Sequence, residues 1–253
     1  MKILLTNDDG IFAEGLWILL QALSQDHEVV VVAPDRERSA VGHAITLNRP
    51  LRSRLVSLDG CGDGFAVDGT PADCVKLALA ELIQQHPDVV VSGINPGANV
   101  GININYSGTI AAAKEAALAG IPSMAVSIIG GDRPHYEDAA IFVRRMIGRI
   151  SWNELPFGTF LNVNIPDLPA GKIRGVRISR QSVTPFSEKF DRRTDPHNRA
   201  YYWHSSDPQV FEDAPEVDGT ALEEGCISVT PITCDTTDYR MLTAIKRWNL
   251  DDR

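Results

Sequence analysis

Short apolar runs, each closed by turn-forming or acidic residues, alternate along this chain with stretches whose apolar residues fall at helical spacing. Ile3-Leu4-Leu5 leads into Asn7-Asp8-Asp9-Gly10, Glu28–Ala33 (EVVVVA) into Pro34-Asp35, and Asp88–Ser92 (DVVVS) into a loop rich in Gly and Asn. Ser123–Ile128 and Thr159–Ile165 (TFLNVNI) add two more runs. Continuous apolar runs of this length predict buried strands. Between them, Leu16, Leu19, Leu20 and Leu23 predict a helix over 13–23, and residues 110–119 and 138–150 predict two others. A further helix opens at Thr70-Pro71-Ala72-Asp73 and runs to Gln85, with Thr as N-cap, Pro at the first helical position and Asp at the third. Strands and helices in this rhythm predict an α/β fold, a mostly parallel sheet flanked by helices.

Two regions fall outside the rhythm. Residues 45–67 read as strands and turns broken by Gly60, Gly62 and Gly64. After a strand at 176–180, residues 181–224 are polar and rich in Asp, Pro and aromatics, which predicts a projecting β-hairpin arm. A strand over 225–231 returns, and a helix over 235–250 follows. The expected organisation is one unit: an α/β core over 1–180, the arm and returning strand over 181–235, and a C-terminal helix over 236–253.

Composition narrows the function classes. With 253 residues, 43% of them hydrophobic and 23% charged, the chain is able to bury a core. Its formal charge of −9 argues against nucleic-acid duplexes and anionic membranes as partners, so an anionic substrate has to be held by local positive charge. No apolar run approaches the ~20 residues of a membrane-spanning helix. The chain enters its first strand without the apolar segment of a secretory signal, which predicts a cytoplasmic location. Cys61, Cys74, Cys226 and Cys234 form no CxxC pair and read as reduced structural cysteines.

Oxygen-bearing residues gather at strand exits, where open α/β sheets bind ligands. Asp8 and Asp9 follow the first strand, Ser39 lies in the loop after the second, and Asn95 follows the third. Taken singly, each reads as a solvated turn or loop residue. Together, two carboxylates, a hydroxyl and an amide carbonyl form an all-oxygen set suited to a hard cation. Ser107-Gly108-Thr109 precedes the helix at Ile110 and has the character of a phosphate cradle, although either hydroxyl also suits a plain N-cap. Asn7, at the first strand exit, joins these three as a phosphate- or substrate-binding candidate. A metal and an anion-binding helix end on one sheet edge describe phosphoryl chemistry. Dinucleotide, P-loop, HExxH and GxSxG motifs are absent; His43 lies near Ser39 as a candidate acid, although a loop histidine reads first as incidental.

NDDG at 7–10, APDRERSAVGHAIT at 33–46, GTPADCV at 69–75, VSGINPGANVG at 91–101 and YSGT at 106–109 resemble, in order and spacing, the signature blocks of the SurE (survival protein) family. LNVNIPD at 161–167 and GCISVTP at 225–231 extend the likeness more loosely over nearly the whole chain. The resemblance implies a Rossmann-like core and a metal-dependent phosphatase of nucleoside 5′-monophosphates, with 3′-nucleotides and short polyphosphate as further substrates. It implies that Asp8, Asp9, Ser39 and Asn95 ligate one divalent cation per subunit, Mg²⁺ or Mn²⁺, with Ca²⁺ an alternative occupant. Asp8, Asp9 and Asn95 are then also the catalytic candidates. A homodimer or homotetramer with exchanged C-terminal segments is implied as well. The chain departs from the family pattern at Asn103, often acidic there, and at Ala116, usually Gly. A nucleotide or polyphosphate sensor without turnover is the alternative reading.

Overall fold

The computed structural model describes residues 1–58, 62–129, 134–184, 188–206, 211–248 and 250. The apolar run of the opening residues forms β1 (Lys2–Thr6), followed by α1 (Glu14–Leu23) and β2 (Glu28–Pro34). An antiparallel pair, β3 (Ser53–Leu58) and β4 (Gly62–Val67), precedes α2 (Pro71–Leu77) and β5 (Val89–Pro96). The chain continues through α3 (Gly108–Leu118), β6 (Ser123–Ile128), α4 (Tyr136–Ile147), β7 (Thr159–Ile165) and β8 (Val176–Ile178). Its last elements are the hairpin strands β9 (Glu188–Thr194) and β10 (Ala200–Ser206), then α5 (Asp218–Glu223), β11 (Ile227–Thr233) and α6 (Tyr239–Ile245).

The main sheet has the order β3-β4-β2-β1-β5-β6-β7-β11-β8. Strands β4, β2, β1, β5, β6 and β7 pair in parallel, while β3 and β11 run antiparallel to their neighbours β4 and β7. Successive strand side chains point to opposite faces, and both faces are covered. On one face Ile3, Leu5, Val31, Val89 and Val91 pack with Leu16, Leu19 and Leu23 of α1 and with Ala140 and Val143 of α4. On the other, Leu4, Val32 and Val90 meet Cys74 and Val75 of α2 and Ala112 and Ala116 of α3. This is the doubly wound α/β arrangement that the alternating pattern predicts.

The Thr70 cap is realised in full. Asp73 N donates to Thr70 Oγ1 at 3.1 Å, and Thr70 N donates to Asp73 Oδ2 at 2.9 Å. Asp73 also accepts from Thr46 N at 2.9 Å and from Thr46 Oγ1 at 2.6 Å, so it ties the segment after β2 to α2. The regular α-helix ends sooner than the pattern suggests: after Leu77 it widens into a π-helical turn over Ala78–Leu82.

The segment read as one arm divides in two. Residues 188–206 form a separate two-stranded sheet with Phe190, Tyr202 and Trp203 exposed. Residues 218–223 instead fold back as α5, with Asp218, Gly219, Thr220, Ala221 and Leu222 buried. A stretch of mixed polarity hides so short a buried helix from a periodicity reading. The terminal helix begins at Tyr239 because Asp238 accepts from Arg240 N and Met241 N and caps it there. Cys74, Cys226 and Cys234 are free thiols, while Cys61 lies outside the described residues. Among the described residues no helix is long and apolar enough to cross a membrane.

Candidate active site

Strand β1 sits between β2 and β5, so the loops leaving these three strands share one edge of the sheet. The chain winds from β1 to β2 on one side and reaches β5 on the other, the switch point at which such sheets open a ligand crevice. Asp8 and Asp9 leave β1 there, Ser39 lies beyond β2, and Asn95 belongs to the last residues of β5.

The turn carrying the two carboxylates is tightly determined. Asn7, fully buried, accepts from Gly10 N at 3.2 Å through Oδ1 and donates from Nδ2 to Gly10 O at 3.0 Å. Gly10 has φ +101°, and a Cβ there would stand 2.9 Å from the Arg36 carbonyl carbon. Only glycine satisfies both constraints. Arg38 N donates to Asp8 O at 2.7 Å and so fastens the Ser39 loop to the end of β1.

Asp8 and Asp9 occupy different environments. Asp8 is 5% exposed and lies against the N-terminus of α3, accepting from Thr109 Oγ1 at 2.6 Å through Oδ1. A Cβ on Gly108 would lie 2.7 Å from Asp8 Cβ and 2.9 Å from Oδ2, so glycine is required for this approach. Burial raises the Asp8 pKa, against the Thr109 hydroxyl and the Gly108 and Thr109 backbone N–H groups that lower it. Asp9 has no such support. Its Oδ2 is buried without a hydrogen-bond partner, and burial, then the charges of Asp8 and Glu37, push its pKa up to about 7. An orphaned carboxylate oxygen beside a second carboxylate is the local signature of a place for positive charge.

Ser39 is exposed and donates from Oγ to Glu37 Oε1 at 2.5 Å, which leaves its oxygen lone pairs unused. Asn95 donates from Nδ2 to Gly97 O at 2.6 Å, which orients its amide and leaves Oδ1 as an acceptor. Ser107 caps α3 by accepting from Ile110 N at 3.2 Å. Its hydroxyl proton remains available, whereas the Thr109 hydroxyl is committed to Asp8. The expected cradle is thus partly filled from within, because the positive end of α3 attracts the nearest anion. A pocket of about 150 Å³ opens beside Ser107, with His43, Asn105, Lys114 and Gln181 among its polar lining.

Three groups escaped the sequence reading. Glu37 raises the Asp9 pKa and holds Ser39, yet a loop glutamate carries no local signal. Tyr136, at the start of α4, is buried, and after burial itself the charge of Asp9 helps to push its pKa up to about 12. Glu115 bridges His43 at 2.8 Å and Lys76 at 2.9 Å, and these hydrogen bonds, His43's first, hold its pKa below the usual value despite partial burial. His43 therefore has a partner 72 residues away, which anchors the loop after β2 to α3. Among the described residues no cluster of three or more His, Cys, Asp or Glu side chains suited to a metal occurs. The set at this edge is instead two carboxylates with a hydroxyl and an amide.

The family model described as "Survival protein SurE" matches residues 3–188, from β1 into β9. The chain belongs to the SurE family. A protein of Desulfatibacillum aliphaticivorans named 5′-nucleotidase SurE is 53% identical over 252 residues, covering 99% of either chain. Another so named, from Geotalea uraniireducens, is 49% identical over 99% of this chain and 100% of its own length. Among solved structures, the SurE protein of Aquifex aeolicus superposes with a TM-score of 0.84 at 38% identity, covering 98% of this chain and 100% of that one. The family match spans all the strand-exit residues described above, and the relatives' likeness runs on through α5, β11 and α6.

Proposed function

We propose that this protein is a divalent-metal-dependent 5′-nucleotidase, converting nucleoside 5′-monophosphates to nucleoside and phosphate. The observation that carries the reading is the buried, unpartnered Asp9 Oδ2 beside Asp8 at the N-terminus of α3. Relatives named 5′-nucleotidase SurE, about half identical along their whole length, support the same reaction. The donor set fits a hard cation such as Mg²⁺, Mn²⁺ or Ca²⁺: oxygen only, two carboxylates, and an oxygen that lacks a partner. Asp8, Asp9, the Ser39 hydroxyl and Asn95 Oδ1 are the residues that would hold it. When bound, such an ion supplies charge neutralisation at phosphate and a more acidic water.

The chain's own residues divide the remaining work. Asp8 is immobilised by Thr109 and serves as a fixed ligand. Asp9, with Oδ2 given to the cation, has its other carboxylate oxygen left to orient the attacking water and accept its proton. Ser107 donates its hydroxyl proton to a phosphate oxygen, close to the positive end of α3, and Gly108 permits the close approach of backbone. Asn7 holds the turn that presents both carboxylates. The nucleoside lies in the pocket beside Ser107, over Ile104 and Ile110. Substrates extend to 3′-nucleotides and short polyphosphate, and the enzyme works in the cytoplasm. The exposed aromatics of the hairpin and the lack of any buried residue on α6 support a homodimer or homotetramer in which C-terminal segments are exchanged.

Phosphate release from nucleoside monophosphates, assayed with Mg²⁺ or Mn²⁺ and again after exhaustive chelation, tests the proposal. Turnover that requires the cation is expected. Turnover indifferent to chelation would overturn the metal dependence, and tight nucleotide binding with no turnover would favour the sensor. Sedimentation of the full chain tests the assembly, with a monomer as the contrary result.

A further inference from the structure

The motif LNVNIPD and the buried helix α5 have no part in the reaction as described, yet both converge on one loop. Residues 97–107 link Asn95 to Ser107; a 3-10 helix over Gly101–Asn105 serves part of their backbone, and no strand serves the rest. Gly97 N donates to Ile128 O at 2.8 Å, and beyond it side chains take over the role of a neighbouring strand. Asn99 N donates to Asn164 Oδ1 at 2.8 Å, and Asn99 O accepts from Asn162 Nδ2 at 2.8 Å and Asn164 Nδ2 at 3.1 Å. A side-chain amide presents the same donor and acceptor as a peptide group, so Asn162 and Asn164, two residues apart on β7, act as a surrogate ladder. Two residues later the pattern recurs from another part of the chain. Gly101 N donates to Asp218 Oδ2 at 2.8 Å, and Gly101 O accepts from Gln181 Nε2 at 2.9 Å. Asp218 is fully buried at the start of α5 and also accepts from Ser182 N at 3.1 Å and Gly219 N at 2.9 Å.

This clamp reaches the candidate cation set from two directions. Asn95 lies one turn of chain before Asn99, and Gly42 N in the Ser39 loop donates to Tyr106 O at 2.9 Å at the far end of the loop. We infer that Asn162, Asn164, Gln181 and Asp218 are positioning residues: they fix the 97–107 loop, and through it the groups that hold the cation and cap α3. The C-terminal segment is on this view a structural part of the active site. The inference rests on the metal-site reading above. Its physical basis is that partners of ligand-bearing groups set ligand geometry, and their loss typically weakens metal binding about ten-fold or more.

The test uses the full chain with Asp218→Asn and Gln181→Leu, and Ser123→Ala as control. Ser123 is buried at the start of β6 with its hydroxyl on Ala113 O at 2.7 Å, at the end of the sheet opposite the strand exits. Mn²⁺ affinity is measured by calorimetry, amide hydrogen exchange is followed over 97–107, and kcat is recorded against Mn²⁺ concentration. Both loop variants are expected to exchange faster over 97–107 and to bind Mn²⁺ about ten-fold more weakly; in Asp218→Asn, whose site lies outside the nucleoside pocket, excess Mn²⁺ is expected to recover most of kcat. Ser123→Ala is expected to melt lower with unchanged Mn²⁺ affinity. Wild-type Mn²⁺ affinity in the loop variants would overturn the inference, and Gln181→Leu decides alone if Asp218→Asn does not fold. Should the wild type itself bind no Mn²⁺, the metal reading fails, and loop exchange in Gln181→Leu still judges the clamp.

Discussion

Asp9 offers a quantitative handle on the site, because the same feature that suits it to a cation should weaken the metal-free fold. Burial and the neighbouring charges of Asp8 and Glu37 raise its pKa from 3.8 to about 7. The folded state therefore binds more protons than the unfolded one between those values, and stability falls as pH rises through that window. At ~1.4 kcal/mol per unit, the penalty reaches about 4 kcal/mol once the group is fully ionised, and is absent near the unfolded pKa. Asp9→Asn keeps the shape and removes the charge. Any cost of burying its amide is independent of pH, so the diagnostic quantity is the pH dependence of the difference in melting temperature. In chelator, the variant should gain on the wild type by several degrees between pH 4.5 and 8, at roughly 2–4 °C per kcal/mol for a chain of this size. Saturating Mg²⁺ should offset most of that gain, since a cation at ~100 times its Kd adds about 2.7 kcal/mol to the wild type alone. Activity in the variant should fall by orders of magnitude. A melting difference that is flat with pH would refute the assignment of Asp9 as a destabilised carboxylate, and wild-type rates would remove it from the site.

Three further substitutions probe the surroundings. Gly108→Ala puts a methyl 2.7 Å from Asp8 Cβ, and steady-state assays should show kcat lower on the order of 100-fold through displacement of that carboxylate. Thr109→Val removes the hydroxyl that lowers the Asp8 pKa, so the acid limb of the kcat/KM profile should move to higher pH; an unmoved limb would mean Asp8 does not control it. Asp73→Ala deletes the capping box of α2 and both bonds from Thr46, and should cost about 1–3 kcal/mol in denaturant unfolding while leaving kcat near wild type. Its hydrogen bonds outweigh burial and hold the Asp73 pKa low, so this contribution should persist at neutral pH and vanish as acid titrates the carboxylate.

Local pattern determined much of this protein. Apolar runs place β1, β2, β5, β6 and β7, helical spacing places α1 and α4, an alanine-rich run places α3, and Thr70-Pro71-Ala72-Asp73 specifies a cap from four residues alone. These signals are local, and the interactions behind them span a few residues. The identity of Asp8, Asp9, Ser39 and Asn95 as oxygen donors at strand exits was equally legible. Only tertiary structure decided that β1 lies between β2 and β5, which brings those exits to one edge. It also separated the two carboxylates. The Thr109 hydroxyl that steadies Asp8 comes from 101 residues away, while Glu37 adds charge to Asp9 from a loop with no periodicity. The clamp on Asn99 and Gly101 spans up to 117 residues and joins polar side chains whose partners no local pattern reveals. Periodicity reports which face of an element is buried; it carries no information about which distant segment buries it, and at this site the distant segments set the chemistry.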